Sequence, residues 1–254
     1  MAQQDKKIKV LWSINVLTEI DSQAYPSHLV HAYRMGRDTD VEFMLHTPRR
    51  MPIAAGRNSA VEVALTNDCD YILFTDDDME LHPQAFKTLL SRDRDIVMAM
   101  CYIRGYPYRP MVFKWFEGEE TQTSVGDQKV KGRCIGLWSE CEQHIQENGL
   151  IEPVAAVGCA TTLVKTDLLR KMNFPWFYTG TANTEDVYFC IKAQNVHPDV
   201  TIAVDTTIPS GHVLKDKSIL YPWNAETLRQ FNKDMESVQR QQLEKEEVES
   251  VAHN

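Results

Sequence analysis

The sequence predicts an α/β protein: a mostly parallel sheet flanked by helices, then a loop-rich segment and a C-terminal helix. Three observations predict it. Short apolar runs alternate with helical periodicity through the first hundred residues, the pattern of parallel strands joined by crossover helices. The 254 residues are 43% hydrophobic and 25% charged, an ordinary globular composition. No apolar run approaches the roughly 18 residues a membrane span needs.

Each element has its own signal. Residues 7–16 read as a buried strand. Lys6, Lys7 and Lys9 before the apolar run loosely mimic a signal peptide, but Ser13 and Asn15 interrupt it and no small-residue cleavage site follows. Residues 26–35 read as a helix, with Pro26 in its first turn and Gly36 at its end. Residues 40–46 form a second strand. Residues 54–66 carry a helical stripe of Ala60, Val61, Ala64 and Leu65. Residues 71–74 are a short, wholly apolar third strand. Residues 82–90 read as a helix with Pro83 at its start and Ala85, Phe86, Leu89 and Leu90 on one face. Residues 95–101 close the series as a fourth strand.

The second part changes character. Residues 103–150 are punctuated by Gly105, Pro107, Pro110, Gly118, Gly126, Gly132 and Gly136, with short strand-like pieces between. Strands follow at 151–157 and 161–165, a short helix at 167–172, a helix at 184–194 with Thr184 as N-cap, and a strand at 200–204. From 225 a polar helix carries Leu228, Phe231, Met235 and Val238, spaced three, four and three apart. This stripe reads as docking onto the domain, with a weak dimer contact as the alternative, because the spacing lasts under two heptads. The chain therefore divides into one domain at 1–222, with halves 1–101 and 102–222, and a helical tail at 223–254.

The formal net charge is −9, which argues against a wholly basic nucleic-acid-coating protein. Residues 233–254 alone hold six acidic and three basic side chains, so the body is less acidic than the total implies. The six cysteines are scattered, without a CxxC, and read as free, buried thiols in a reducing compartment. Cys134, Cys141 and His144 lie near one another but match no zinc spacing. The expected location is the cytoplasm of the cell that makes the protein.

The strongest chemical signal is Thr75-Asp76-Asp77-Asp78-Met79 directly after the apolar strand. Three adjacent carboxylates repel one another and belong at a solvated strand end. In a parallel sheet the carboxyl ends of the strands form the ligand crevice. Asp76 and Asp78 alternate and can converge, and two hard oxygen donors suit Mg²⁺ or Mn²⁺ with a diphosphate. The plain alternative is an acidic turn before a helix. Arg57, at a helix start after the second strand, is placed for a phosphate or is a surface arginine. Gly158-Cys159-Ala160 has little bulk, so backbone there can approach a ligand closely or pack tightly. Glu185 and Asp186 fall in the first turn of a helix, where the dipole already favours negative charge.

Four segments in this order resemble the A-type (GT-A fold, Rossmann-like) nucleotide-sugar glycosyltransferases, in particular the inverting family of cellulose, chitin and hyaluronan synthases. They are Ile53-Ala54-Ala55-Gly56-Arg57-Asn58, the Asp-x-Asp strand end, Val157-Gly158-Cys159-Ala160-Thr161, and Thr184-Glu185-Asp186. The resemblance implies a metal-dependent transfer of one sugar from a nucleotide-sugar, a UDP-sugar by preference, to an acceptor hydroxyl. It implies Asp186 as the base and Glu185 as the group holding acceptor or sugar. The metal, Mn²⁺ or Mg²⁺, would rest on Asp76, Asp78 and, from the segment Pro209–Val213, His212. Donor contacts would come from Ser13, Asn15, Thr47, Arg57, Asp76, Asp77 and Gly158. The Gln-x-x-Arg-Trp motif of processive synthases is absent, so single-sugar transfer is expected rather than polymerisation.

Residues 102–138 mix bases with aromatics on the acceptor side, and Arg104, Tyr108 and Trp176 are the expected acceptor contacts. Compact transferases of this type include phage-encoded enzymes that place sugars on hydroxymethylated pyrimidines in DNA. That implies DNA with modified bases as a partner. A protein, glycan or small-molecule acceptor is the alternative within the class. A non-catalytic nucleotide-sugar binding module is the alternative outside it. No membrane partner is expected, and the chain reads as a monomer or a weak dimer through its last helix.

Overall fold

The computed structural model describes residues 7–117, 123–125, 128–130, 133–180, 184–230 and 233. The first half runs β1 (Ile8–Asn15), α1 (Tyr25–Arg37), β2 (Val41–His46), α2 (Ile53–Thr66), β3 (Tyr71–Asp76), β4 (Met79–Glu80), α3 (Ala85–Ser91) and β5 (Ile96–Ala99). The second half begins with β6 (Val112–Glu117), β7 (Thr123–Val125), β8 (Gln128–Val130), β9 (Arg133–Leu137), β10 (Leu150–Ile151) and β11 (Ala156–Val157). It continues through β12 (Thr161–Lys165), α4 (Thr166–Lys171), α5 (Glu185–Val196), β13 (Ile202–Asp205), β14 (Gly211–Val213) and β15 (Ile219–Leu220).

A seven-stranded sheet in the order β10-β13-β5-β12-β3-β1-β2 forms the centre. β1 lies parallel to β2 and β3, and β13 parallel to β5. β12 runs antiparallel between β3 and β5, and β10 antiparallel at the edge, so five of the seven strands share one direction. Helices cover both faces, which is why β1 is a continuous apolar run: Val10, Leu11, Trp12 and Ile14 are all buried. Alternate residues feed opposite cores. Leu11, Ile72 and Phe74 meet Ala60, Val61 and Ala64 of α2, while Val10, Trp12 and Leu73 meet Met35, Phe86 and Leu89 of α1 and α3.

Several expected boundaries move. The segment 151–157 is not one strand. β10 closes the main sheet, and β11 joins a separate sheet with β6 and β9. Pro153 lies between them and has no N–H to give a ladder. The third helix begins at Ala85 rather than His82, and the late strand is Ile202–Asp205. A helix starts at 225, where Leu228 packs against the larger core. Phe231, Met235 and Val238 lie outside the described residues. Five cysteines are buried as expected, whereas Cys134 is exposed.

This topology gathers one set of strand ends. Asn15 at the end of β1 pairs with Asp76 at the end of β3. β4, just after Asp78, pairs with β14, setting Met79 opposite His212.

Candidate active site

The β3–β4 turn is held from three sides. The Asp77 carboxylate accepts a hydrogen bond from Leu17 N–H at 3.1 Å, and the Asp77 carbonyl accepts one from Asp21 N–H at 2.9 Å. Burial pushes the Asp77 carboxyl up to about 6. On the other side His28 Nε2 lies 2.9 Å from the Met79 carbonyl, and Leu81 N–H donates to Ser27 Oγ at 2.9 Å. The start of α1 therefore fixes the turn from beneath.

Asp78 and His212 form the centre. His212 Nδ1 lies 2.7 Å from the Tyr102 carbonyl. A carbonyl only accepts, so Nδ1 carries the proton and Nε2 is turned toward Asp78 Oδ2, at 3.3 Å. Burial works upward on the Asp78 carboxyl. The His212 hydrogen bond and the Arg104 charge outweigh it and hold Asp78 below its ordinary value. Burial works downward on the imidazole, and Asp78 outweighs it, so His212 is raised. Arg104 Nη1 also donates to Asp78 Oδ2, at 2.7 Å.

Arg57 is 2% exposed and bridges two carboxylates. Its Nη2 lies 3.0 Å from Asp76 Oδ1, and its Nη1 lies 2.5 Å from Glu185 Oε1. The guanidinium sits 6.0 Å from the Phe177 ring centre. Burial alone would weaken its hold on the proton, but Asp76 and Glu185 more than restore it. Desolvation raises the carboxyls of both partners against the pull of Arg57. Arg57, expected at a phosphate or on the surface, is buried, and its fork ties the β3 carboxylate to the start of α5.

At that helix start, Asp186 Oδ1 accepts from Val187 N–H at 2.8 Å and from the Thr184 hydroxyl. Thr184 stands at the N-cap as expected, yet its hydroxyl serves Asp186 rather than the helix backbone. Asp186 Oδ2 has no partner among the described residues and faces Gly158, where an added Cβ would lie 3.5 Å from it. That same Cβ would meet Met111 Sδ at 1.8 Å, so any larger residue here would have to displace the Met111 side chain.

Asn15, Val16–Glu19, Asp21, Met51–Ile53, Asp76–Asp78, Arg104 and His212 line one cleft of about 650 Å³. Ser13 does not reach it, being 2% exposed with Oγ 3.2 Å from His46 Nδ1. Thr47 is half-buried and outside the lining. Tyr108 and Trp176 are both 8% exposed, and the Trp176 indole donates to the Leu169 carbonyl at 3.0 Å. Neither is presented to an acceptor. The neighbours Phe174 and Tyr178 are exposed, at 64% and 47%.

Sequence reasoning missed the structural parts of this site. Asn58 Oδ1 accepts from both Trp176 N–H and Phe177 N–H at 3.0 Å, fixing the aromatic loop. It stood inside the quoted Arg-Asn pair without a role. His28 and the Tyr102 carbonyl carried no local signal at all.

Among the described residues no three His, Cys, Asp or Glu side chains form a ready-made cage. Asp78 and His212 converge, with Asp76 across the turn. This is an open donor set, suited to a divalent cation that takes its remaining oxygens from a diphosphate and water. The residues fit that group.

The family model described as Anp1 matches residues 3–129, half of the chain. The chain belongs to the Anp1 family. This Anp1-family chain is similar in fold to A197 from STIV, with TM-score 0.51, 18% identity, and coverage of 84% of this chain and 93% of that one. S. aureus TarS 1–349 matches with TM-score 0.40, 15% identity, and coverage of 78% and 59%. HddC from Yersinia pseudotuberculosis matches with TM-score 0.40, 8% identity, and coverage of 83% and 96%. No curated protein matches in sequence. By family and fold the Anp1-family chain is a GT-A glycosyltransferase, as the ordered segments of its sequence implied. No helix among the described residues is long and apolar enough to cross a membrane.

Proposed function

We propose that this chain transfers one sugar from a nucleotide-sugar, a UDP-sugar in the first instance, to an acceptor hydroxyl with Mn²⁺ or Mg²⁺ bound. The observation that carries the reading is the Asp78–His212 pair opening into the same cleft as Asp76 and the β1 loop. Asp76, Asp78 and His212 would hold the cation, which would neutralise charge on the leaving diphosphate. Asn15 and the loop after it would border the nucleotide. Asp186 would take the acceptor proton on Oδ2, the oxygen left after Oδ1 caps the helix. Glu185, fixed by Arg57, would hold the acceptor or sugar. Residues 1–222 would be the catalytic unit and 223–254 its helix and tail.

Hydroxymethylated pyrimidine in DNA is the first acceptor to test, supported by the bases and aromatics between 102 and 138. A neutral glycan is the second reading, and a specific observation favours it. Among the described residues, the concavity bounded by the exposed Phe174 and Tyr178 is lined by no Lys or Arg, and Glu62 is the one charged residue in its lining. Thermal unfolding against a nucleotide-sugar panel, with and without Mn²⁺, tests the donor. Stabilisation by one sugar nucleotide, lost in Asp78→Ala, supports the reading, and indifference to all of them overturns it. Sugar release driven by hydroxymethylated DNA or by neutral oligosaccharide then decides the acceptor.

A further inference from the structure

Arg104 stands where the sequence does not put it. It was expected on the acceptor side, yet its Nη1 lies 2.7 Å from Asp78 Oδ2, on the oxygen that His212 also faces. Among the described residues lining the cleft it is the one Lys or Arg. The other guanidinium nearby, Arg57, is buried and already paired with two carboxylates. A cleft lined by four aspartates that is to receive a diphosphate has this one guanidinium among its described lining residues, held by Asp78 alone.

The surroundings let this side chain move while its backbone stays put. The Arg104 side chain is 58% exposed, and among the described residues no other hydrogen bond holds it. Its loop is pinned at the base, where Ile103 N–H donates to the Arg109 carbonyl and Tyr108 N–H to the Gly105 carbonyl, both at 2.9 Å. Arg229 closes the far side by donating to the Pro107 and Tyr108 carbonyls at 2.8 and 2.9 Å.

We propose that Arg104 is the resident counterion of Asp78, that it competes with a divalent cation for this carboxylate, and that it turns to the donor's diphosphate once displaced. This rests on the reading of Asp78 as a metal ligand. Its signature is a reversal of sign. With the cation alone, Arg104 is a competitor and a like charge. With a diphosphate bound, it becomes a donor to phosphate oxygens, the geometry a guanidinium suits.

The test is calorimetric titration of the full chain with MnCl₂ alone, then with UDP and with GDP at saturating MnCl₂. Arg104→Ala is expected to tighten Mn²⁺ roughly fivefold, the scale of an exposed ion pair. It is expected to weaken the diphosphate about tenfold, the scale of a charge-assisted contact. Arg104→Lys should keep both within about twofold, and the exposure of the residue keeps the variants folded. If both constants of Arg104→Ala stay at wild-type values, or both move the same way, the proposal fails. Asp78→Asn separates the two readings. Retained Mn²⁺ binding there overturns the metal site itself, whereas lost binding without the sign reversal in Arg104→Ala overturns only the role of Arg104.

Discussion

Arg57 shows how far one residue's role depends on what packs against it. As a helix-start arginine it reads as a phosphate ligand or a surface residue. In the fold it is a buried brace between Asp76 and Glu185. Removing one partner of a buried ionic cluster leaves charge without compensation, at a cost of about 3–5 kcal/mol. Arg57→Met should therefore lose stability of that order in urea unfolding, and Arg57→Lys less. A loss under about 1 kcal/mol would show that the brace carries no weight. Asp186 is the opposite case, with one oxygen tied and the other open. Asp186→Asn should keep donor binding while transfer falls about 100-fold or more, measured as sugar transfer at saturating donor. Unchanged transfer would remove Asp186 as the base.

At the level of elements, the site depends on two short strands. β4 and β14 pair directly behind Asp78, and β14 carries His212. Gly211 makes the pairing possible, because a Cβ there would meet Ile219 Cγ2 at 2.4 Å and Tyr221 Cζ at 2.6 Å. Neither atom is the loose end of a flexible chain. Gly211→Ala should cost about 1–3 kcal/mol by thermal unfolding and weaken Mn²⁺ stabilisation with it. Gly36 in α1 is the matched control, with nothing within 4 Å of an added Cβ. Gly36→Ala should gain about 0.5 kcal/mol by restricting the unfolded chain. A gain at Gly211, or an equal loss at both positions, would contradict the packing account.

At the scale of the whole molecule, the second core should make stability depend on pH. His31 is buried against Trp12, at 5.0 Å between ring centres, and neither ring nitrogen has a partner among the described residues. Burial, aided by nearby His28 and Arg34, lowers it from 6.5 to about 4. Below pH 6.5 the unfolded chain takes up a proton that the folded one refuses. Stability should therefore fall as pH drops from 6.5 to about 4, by about 3 kcal/mol from this residue. His31→Leu should flatten that slope in denaturant titrations across the window. An unchanged slope would place the acid sensitivity elsewhere.

The sequence by itself determined the alternation of strands and helices, because periodicity reports which faces must be dry. It also placed Asp76–Asp78 at a strand end, since three carboxylates cannot be buried together, and Glu185–Asp186 in a helix's first turn. It put Asn15 at the rim of the same cleft. Other features were decided only in three dimensions: β12 between β3 and β5, the split of 151–157, the burial of Ser13, Tyr108 and Trp176, and the partners of Arg57 and Arg104. The physical reason is range. Apolar patterning is local, whereas Arg57 meets Glu185 across 128 positions, and Arg104 meets Asp78 across 26. A charge announces itself in sequence, but packing chooses its partner.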